Sequence, residues 1–212
     1  MASEFPKDTI GQPPAGGGGM IGRIQRLLLK PNEEWPVIEA EPKSAQQVFM
    51  TWAVPLAAIG PICTLIGYIL FLHAPISVAL VMAVLVYAGA LVGVWVLAFI
   101  FNMLAPSFGG TKSMDQAMKV AAYSYTPAWL AAVLGILPAL GIIGSLLGLY
   151  SLYLLWLGLP RLMKVPADKA PGYVIVSILC AIVFAAIIGA IIGAVIASMM
   201  MAAMGGAMYG LR

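Results

Sequence analysis

Five long apolar blocks make up most of the chain, and none of them contains Asp, Glu, Lys or Arg. They cover residues 48–72, 76–104, 120–137, 141–160 and 172–201. A helix needs about 20 apolar residues to cross a bilayer core of roughly 30 Å, and each block is close to or above that length. The pattern therefore predicts an all-α, polytopic membrane protein. Five transmembrane helices would form a bundle within residues 48–204, followed by a short outer tail over 205–212.

Ahead of the spans, residues 1–19 are polar and rich in Gly and Pro. Such a segment buries too little apolar surface to offset its ordering entropy, so we predict a disordered tail. Residues 20–47 differ, because apolar side chains recur there at helical spacing: Met20, Ile21, Ile24, Leu27 and Leu28. The spacing predicts a short amphipathic helix that Pro31 ends, within a cytoplasmic interfacial segment.

The amphipathic helix has two interpretations. In the first, it lies in the membrane interface, where Arg23, Arg26 and Lys30 contact anionic lipid headgroups and Trp35 lies at headgroup level. In the second, it packs on the cytoplasmic loops of its own domain. The sequence supports both equally. These four residues are therefore candidate contacts to the membrane surface or to a partner.

Loop charge predicts the orientation of the bundle, because short loops rich in Lys and Arg stay in the cytoplasm. The connections 73–75 and 138–140 have no formal charge, whereas the other two connections contain Lys112, Lys119, Arg161, Lys164 and Lys169. Five crossings, with the N-terminus in the cytoplasm and the C-terminus outside, satisfy every loop. A stretch 120–160 that enters and returns without crossing would satisfy them too, although its 41 residues favour two crossings.

The third block has a predicted start and a predicted irregularity. Ser113 begins a capping-box pattern, so a helix should start at about Met114 and run into the membrane. Pro127 inside that helix removes a backbone hydrogen bond and predicts a kink. Tyr123 and Trp129 lie at about the same depth. With Pro127 they form either a hinge or binding notch, or an ordinary proline kink beside an aromatic belt.

Small side chains predict how the last span packs. Helices approach closely in lipid where Gly, Ala and Ser recur every four residues. The last span has an unbroken row of this kind: Ser177, Ala181, Ala185, Gly189, Gly193 and Ala197. We expect this row to pack within the bundle, with a dimer seam as the alternative.

Composition excludes several classes of function. A chain of 212 residues that is 62% hydrophobic has no room for a soluble catalytic domain. The spans lack the charged groups that ion-coupled transporters keep in the membrane, and they hold no pair of nucleophile and base, so catalysis is not expected. His73 has no second ligand, so no metal or cofactor is expected. The net charge of +3 follows from the cytoplasmic loops rather than from binding to nucleic acid.

The loops resemble those of a known family. The prokaryotic branch of the YIP family (Ypt/Rab-interacting membrane proteins) is similar to this chain over about residues 20–197, in the segments LLLKPNEEWPVIEAEP, APSFGGTK, YSYTPAW and LYSLYLLWLGLPRLMKVPADKAPGY. The resemblance implies five membrane helices and a cytoplasmic N-terminus, in a prokaryotic inner (plasma) membrane. Eukaryotic members bind Rab-type GTPases, but their DLYGP motif is missing here, so that role is not implied.

Two functions are compatible with these observations. In the first, a non-enzymatic membrane protein organises the lipid bilayer, or scaffolds protein partners or further copies of itself, through its cytoplasmic face. In the second, a transporter or channel moves a small solute or a lipid along a polar path past Asn102, Ser124, Thr126 and Pro127. A cavity that reaches into the membrane would favour the second function, and a solidly packed bundle would favour the first.

Overall fold

The computed structural model of the protein describes residues 19–70, 75–136 and 140–209, and all regular secondary structure in these ranges is helical. Two short helices come first, α1 (Gly19–Leu29) and α2 (Pro31–Ala40). Pro31 follows the end of α1 and also starts α2, because a missing N–H costs nothing in the first turn of a helix. The predicted disordered tail, apart from residue 19, lies outside the described residues, as does most of the first connection.

Four helices in the described part of the chain are long and apolar enough to cross a membrane: Ala45–Leu70, Ile76–Phe108, Ile142–Leu162 and Ala170–Ser198. They coincide with the first, second, fourth and fifth predicted spans, so an all-α protein with several membrane helices is confirmed. The remaining elements are numbered along the chain: α3 (Ala45–Leu70), α4 (Ile76–Leu104), α5 (Met114–Ser124), α6 (Thr126–Ala131), α7 (Gly141–Leu162) and α8 (Ala170–Tyr209).

The third predicted span is not one continuous helix. The helix α5 begins at Met114, where the Ser113 hydroxyl accepts a backbone hydrogen bond, so the predicted start is confirmed. The chain leaves the helix at Tyr125, and Pro127 lies in the first turn of α6, where its missing N–H is tolerated. A 3₁₀ helix over Ala132–Ile136 follows. The irregularity predicted at Pro127 is therefore present, but as a boundary between two helices rather than a kink within one.

The segment 114–136 and α7 run in opposite directions beside each other. The backbone N–H of Thr111 donates to the carbonyl of Met163 (2.8 Å), so α5 starts where α7 ends. At the other end, a Cβ built on Gly144 would lie 3.3 Å from the carbonyl of Ala131. The two segments therefore cross the membrane together or not at all. If α3, α4 and α8 cross, either case gives an odd number of crossings and puts the chain ends on opposite sides.

The buried core surrounds α5. Every residue from 117 to 124 is buried, because α3, α4 and α7 all pack against this helix. Trp52 of α3 stacks at an angle on Tyr123, with 4.6 Å between the ring centroids. The Trp52 indole N–H also donates to the hydroxyl of Thr126 (3.0 Å), which joins α3 to the start of α6.

The helix α8 is packed at its start and exposed along its outer part. Near the start, the Tyr173 hydroxyl donates to the carbonyl of Phe101 (2.6 Å), and Ser177 is fully buried. The rest of the predicted row is half-buried or exposed: Ala181, Ala185, Gly189, Gly193 and Ala197. A Cβ built on Gly189 or Gly193 meets no atom within 4 Å.

The expectation that the whole row packs within the bundle is therefore wrong for its outer part. The reason is that α4, rather than α8, supplies the glycine at the contact between these two helices. A Cβ built on Gly89 of α4 would lie 3.4 Å from Ile188 and 3.3 Å from Ile192. At this level Ile188 and Ile192 of α8 make the close contact with α4, whereas Gly189 and Gly193 make none.

Candidate functional site: a charged layer at one end of the bundle

A charged layer covers one end of the bundle, and we use this name for residues 19–47 together with the loops 105–113 and 163–169. Charged side chains among the described residues lie in this layer or on the helix turns next to it. At its edge, Asp115 accepts a hydrogen bond from the backbone N–H of Ala45 (2.6 Å), so the starts of α5 and α3 meet there.

Arg23 of α1 forms the centre of the layer and is 8% exposed. Its guanidinium binds the Glu41 carboxylate through both terminal nitrogens (Nη1–Oε2 2.8 Å) and donates to the Tyr123 hydroxyl (3.1 Å). Its Nε lies 3.2 Å from Oε1 of Glu34, an ion pair without the angle of a hydrogen bond. Glu34 is 2% exposed, and its other oxygen accepts from Nε of Arg26 (2.8 Å). Two arginines and two carboxylates thus neutralise each other in a nearly buried site.

Electrostatics keep the pair of Arg23 and Glu41 ionised at neutral pH. The hydrogen bond to Glu41 raises the pKa of Arg23 above its usual value. Burial alone would raise the pKa of Glu41, but hydrogen bonds from Arg23 and Lys43 outweigh burial and lower that pKa below its ordinary value of 4.5. Because the folded-state pKa is depressed, ionised Glu41 stabilises the fold above pH 4.5, and this stabilisation is lost as the pH falls through the folded-state pKa.

Lys119 of α5 covers the end of α2. The buried ammonium donates to the backbone carbonyls of Glu41 (2.6 Å) and Glu39 (3.4 Å), and Gln116 donates to the same Glu39 carbonyl (3.1 Å). A cation suits the negative end of the helix dipole, although burial lowers the pKa of Lys119 below its usual value. From α7, Arg161 pairs with the Glu39 carboxylate (3.1 Å). The end of α2 is therefore held by both α5 and α7.

Two further contacts hold the charged layer against α7. The Tyr150 hydroxyl donates to the carbonyl of Leu28 (2.8 Å), near the end of α1. Trp35 of α2 is buried against Gly158, where a Cβ would lie 2.5 Å from Cζ2 of the indole. The absence of a side chain at this position lets α2 approach α7.

The structure separates the four residues predicted to meet the membrane surface or a partner. Arg23 and Trp35 are buried, so neither is available for such contacts, and the prediction is wrong for both. Arg26 is half-buried and Lys30 is exposed, and each pairs with a glutamate of α2. The packing interpretation accounts for this placement. Its physical basis is charge, because residues 19–47 contain four basic and four acidic side chains and neutralise one another.

The three residues of the predicted hinge or notch belong to two different parts of the structure. Tyr123, Pro127 and Trp129 are all buried, but Tyr123 belongs to the charged layer through its contact with Arg23. Trp129 instead lies beside Tyr125, with 6.1 Å between the ring centroids, and both line a groove between α4 and α8. A concave surface therefore exists at the helix boundary, with Tyr125 in the place predicted for Tyr123.

The exposed loops of the charged layer have a net positive charge, because three exposed lysines stand against one exposed acidic side chain, Asp168. Lys112, Lys164 and Lys169 are exposed on the two loops, and none of them pairs with a carboxylate among the described residues. Lys169 lies close to Gly109, where a Cβ would be 3.9 Å from its Nζ, so the two loops adjoin. These lysines, rather than Arg23, present positive charge to the surroundings.

Sequence reasoning missed the residues that hold the layer together, among them Glu34, Glu41, Tyr150 and Gly158. A signal for the glutamates was present, since residues 19–47 hold as many acidic as basic side chains, which indicates pairing within the segment. For Tyr150 and Gly158 the sequence offers no signal, because their partners are distant in the chain.

The fold and the layer define an integral membrane protein with charge-free helices and a polar structure at one end. Within the ranges 19–70, 75–136 and 140–209, no group of three or more His, Cys, Asp or Glu residues could hold a metal ion. The chain belongs to the family defined by the Yip1 domain, whose model matches residues 26–188. This match confirms the resemblance inferred from the loops.

Two relatives are similar over most of their length. The chain is 24% identical to the inner membrane protein YohC of Escherichia coli strain K12, in an alignment that covers 76% of this chain and 94% of YohC. The YohC protein of Escherichia coli O6:H1 strain CFT073 gives the same values. No solved structure is significantly similar to this chain.

Proposed function

We propose that this Yip1-family protein is not an enzyme, and that it organises membrane or scaffolds protein partners through the charged layer. The proposal places the layer on the cytoplasmic side of a prokaryotic inner membrane, as the name of the YohC relative suggests. One observation carries it: Arg23 and Lys119 are buried in contacts that fix α1 and α2 to α5, while the loop lysines stay exposed. A fixed surface of this kind suits binding to other macromolecules, whereas a simple linker would need no buried ion pairs.

Photo-crosslinking at single positions tests the scaffolding proposal. A photoreactive amino acid replaces the exposed Lys112 of the charged layer, and a matched variant carries it at the exposed Val84 on α4. Irradiation of intact cells should give discrete protein adducts from position 112 and mainly lipid adducts from position 84. The same adduct pattern at both positions, or none at 112, would contradict a partner-binding role for the layer.

We further propose five crossings, with the N-terminus in the cytoplasm and the C-terminus outside. The loop charges support this topology, whereas the shared end of α5 and α7 fits both topologies. One observation favours the re-entrant alternative. From Thr126, the six residues of α6 and the five of the 3₁₀ helix rise about 19 Å to Ile136. From Trp52, which lies at the same level as Thr126, α3 rises about 27 Å to Leu70. The third segment therefore extends about 8 Å less far into the membrane than α3 does, as a re-entrant segment would.

Thiol labelling separates the two topologies. Single cysteines replace Ala74, Thr111, Leu140 and Ala167 in a chain whose Cys63 and Cys180 are alanine. With five crossings, an impermeant reagent added to intact cells should label positions 74 and 140 but not 111 and 167. Protection at 140 alone would establish the re-entrant form, and labelling at 111 without 74 would reverse the orientation.

A path through the membrane is the second candidate function, and cavities beside α8 favour it. The predicted polar path is not continuous, because Thr126 accepts the indole N–H of Trp52 inside the core. Ser124 does line a cavity, and Tyr125 lines both that cavity and the groove between α4 and α8. Their walls are mostly apolar, which suits a lipid better than a polar solute.

A further inference from the structure

Two serine hydroxyls without partners face a cavity just beneath the charged layer. The cavity, of about 160 Å³, lies between α4, α5, α7 and α8 and has apolar walls that include Leu97, Phe101 and Ala181. Ser124 and Ser151 also line it and are 1% and 8% exposed, yet neither hydroxyl forms a hydrogen bond with any described residue. A buried hydroxyl without a partner costs free energy that an oxygen atom of a ligand would recover.

The depth of these serines in the membrane indicates which kind of ligand oxygen would accept hydrogen bonds from them. Ser124 directly follows Tyr123, which contacts Arg23 of the charged layer, and Ser151 directly follows Tyr150, which contacts α1. Because α5 leads away from the layer and α7 leads toward it, Ser124 lies about 1.5 Å of helix rise deeper than Tyr123, and Ser151 lies about 1.5 Å nearer the layer than Tyr150. Both hydroxyls therefore lie at the inner edge of the charged layer. In a bilayer, the ester carbonyls of glycerolipids occupy this level, between the headgroups and the hydrocarbon core.

An apolar groove continues from the cavity toward the outer part of the bundle. It measures about 270 Å³ and runs between α4 and α8. Cavity and groove share four lining residues: Leu97, Tyr125, Ala181 and Ala185. Glycines keep the groove wide, since Gly89, Gly93 and Gly189 all line it. Its apolar lining suits a hydrocarbon chain that begins at the serines.

We propose that the cavity and the groove together bind one glycerolipid from the leaflet next to the charged layer. An ester carbonyl of the lipid accepts hydrogen bonds from the Ser124 and Ser151 hydroxyls, and one acyl chain lies in the groove between α4 and α8. This lipid site goes beyond the scaffolding function and does not depend on the number of crossings. A failed lipid test therefore leaves the crosslinking result at Lys112 unaffected.

The apolar walls argue for a lipid over a polar solute, and the two hydroxyls argue for a lipid over a second copy of α8. A polar solute would need several hydrogen-bonding groups, but the cavity offers the hydroxyls of Ser124, Ser151 and Tyr125 among apolar side chains. A helix of a second copy could fill the groove, but its backbone carbonyls are already used within the helix. An ester carbonyl is a free acceptor and satisfies Ser124 or Ser151 directly.

Native mass spectrometry of the purified full-length protein tests the proposal. The protein is titrated with phosphatidylglycerol in diester form and in diether form, which share a headgroup and chain length but differ in the ester carbonyls. Wild-type protein should bind the diester lipid more tightly by about threefold to tenfold, the effect of one or two hydrogen bonds. The Ser124→Ala, Ser151→Ala double variant should lose this preference.

A matched pair of variants on α8 tests the groove. Gly189→Leu adds a side chain to the groove at a position where no atom lies within 4 Å of the Cβ, and should weaken binding of both lipids. Ala190→Leu adds bulk on an exposed side of the same helix turn and should bind as the wild type does.

Three results would overturn the lipid site. Equal binding of diester and diether lipid to the wild-type protein contradicts the role of the serines and needs no variant. Equal effects of Gly189→Leu and Ala190→Leu contradict the role of the groove. A dimer that Gly189→Leu dissociates, with no lipid preference in the wild type, assigns the groove to a second copy of the chain.

Discussion

Replacing Arg23 with methionine should destabilise the protein by about 3 kcal/mol, the effect expected when one partner of a buried ion pair is removed. Methionine preserves much of the apolar stem but leaves Glu41 and Glu34 facing a neutral side chain. We expect the lower end of the usual range because Glu41 is 21% exposed and Glu34 keeps its contact with Arg26. Denaturant unfolding in a mild detergent measures the change.

Lys30→Gln is the matched control, because Lys30 lies on the same segment but forms an exposed pair with Glu33. Exposed pairs contribute little, so this change should stay within about 0.5 kcal/mol. Adding Glu41→Gln to Arg23→Met should recover part of the loss, since it removes the unpaired carboxylate. If Arg23→Met were as harmless as Lys30→Gln, Arg23 would be exposed, and the interpretation of α1 as a lipid-facing helix would be restored.

The membrane helices could be predicted from the sequence because their cause is local. A charged side chain in the bilayer core is costly, so charge-free blocks of sufficient length mark the helices directly. The cap at Ser113 was equally local, and α5 starts where it predicted. In the third block the irregularity at Pro127 was also predicted locally, but its form, a boundary at Tyr125 between two helices, was not. The indole of Trp52 fixes Thr126 from another helix, and no spacing rule within the block contains that contact.

The charged layer could be predicted only in part. Helical spacing showed that α1 has an apolar side, but not what covers the other side. The decisive partners of Arg23 are Glu41 and Tyr123, and Tyr123 is 100 residues away in the chain. The acidic residues of the segment were visible in the sequence, and pairing them with the arginines would have favoured packing over binding to lipid. Small-residue spacing did not predict the packing of α8 for a similar reason. It indicates a close approach between helices, but it does not identify which helix is the neighbour.

Gly158→Ala should destabilise the protein, whereas Gly148→Ala on the same helix should stabilise it. A methyl group at position 158 would lie 2.5 Å from the Trp35 indole, which is 1% exposed. Overpacking of this kind costs about 1 to 3 kcal/mol. At Gly148 no atom lies within 4 Å of the Cβ position, so alanine should gain about 0.5 to 1 kcal/mol from its higher helix propensity.

Each change adds one methyl group to α7, so opposite signs in detergent unfolding would isolate the contact with Trp35. A Trp35→Ala background provides the second control, because the methyl at position 158 should no longer be unfavourable once the ring is absent. Stabilisation by Gly158→Ala in the presence of Trp35 would mean that the indole moves away at little cost. The helix α2 would then not be packed tightly against α7. The charged layer could not act as the fixed surface on which the scaffolding proposal depends.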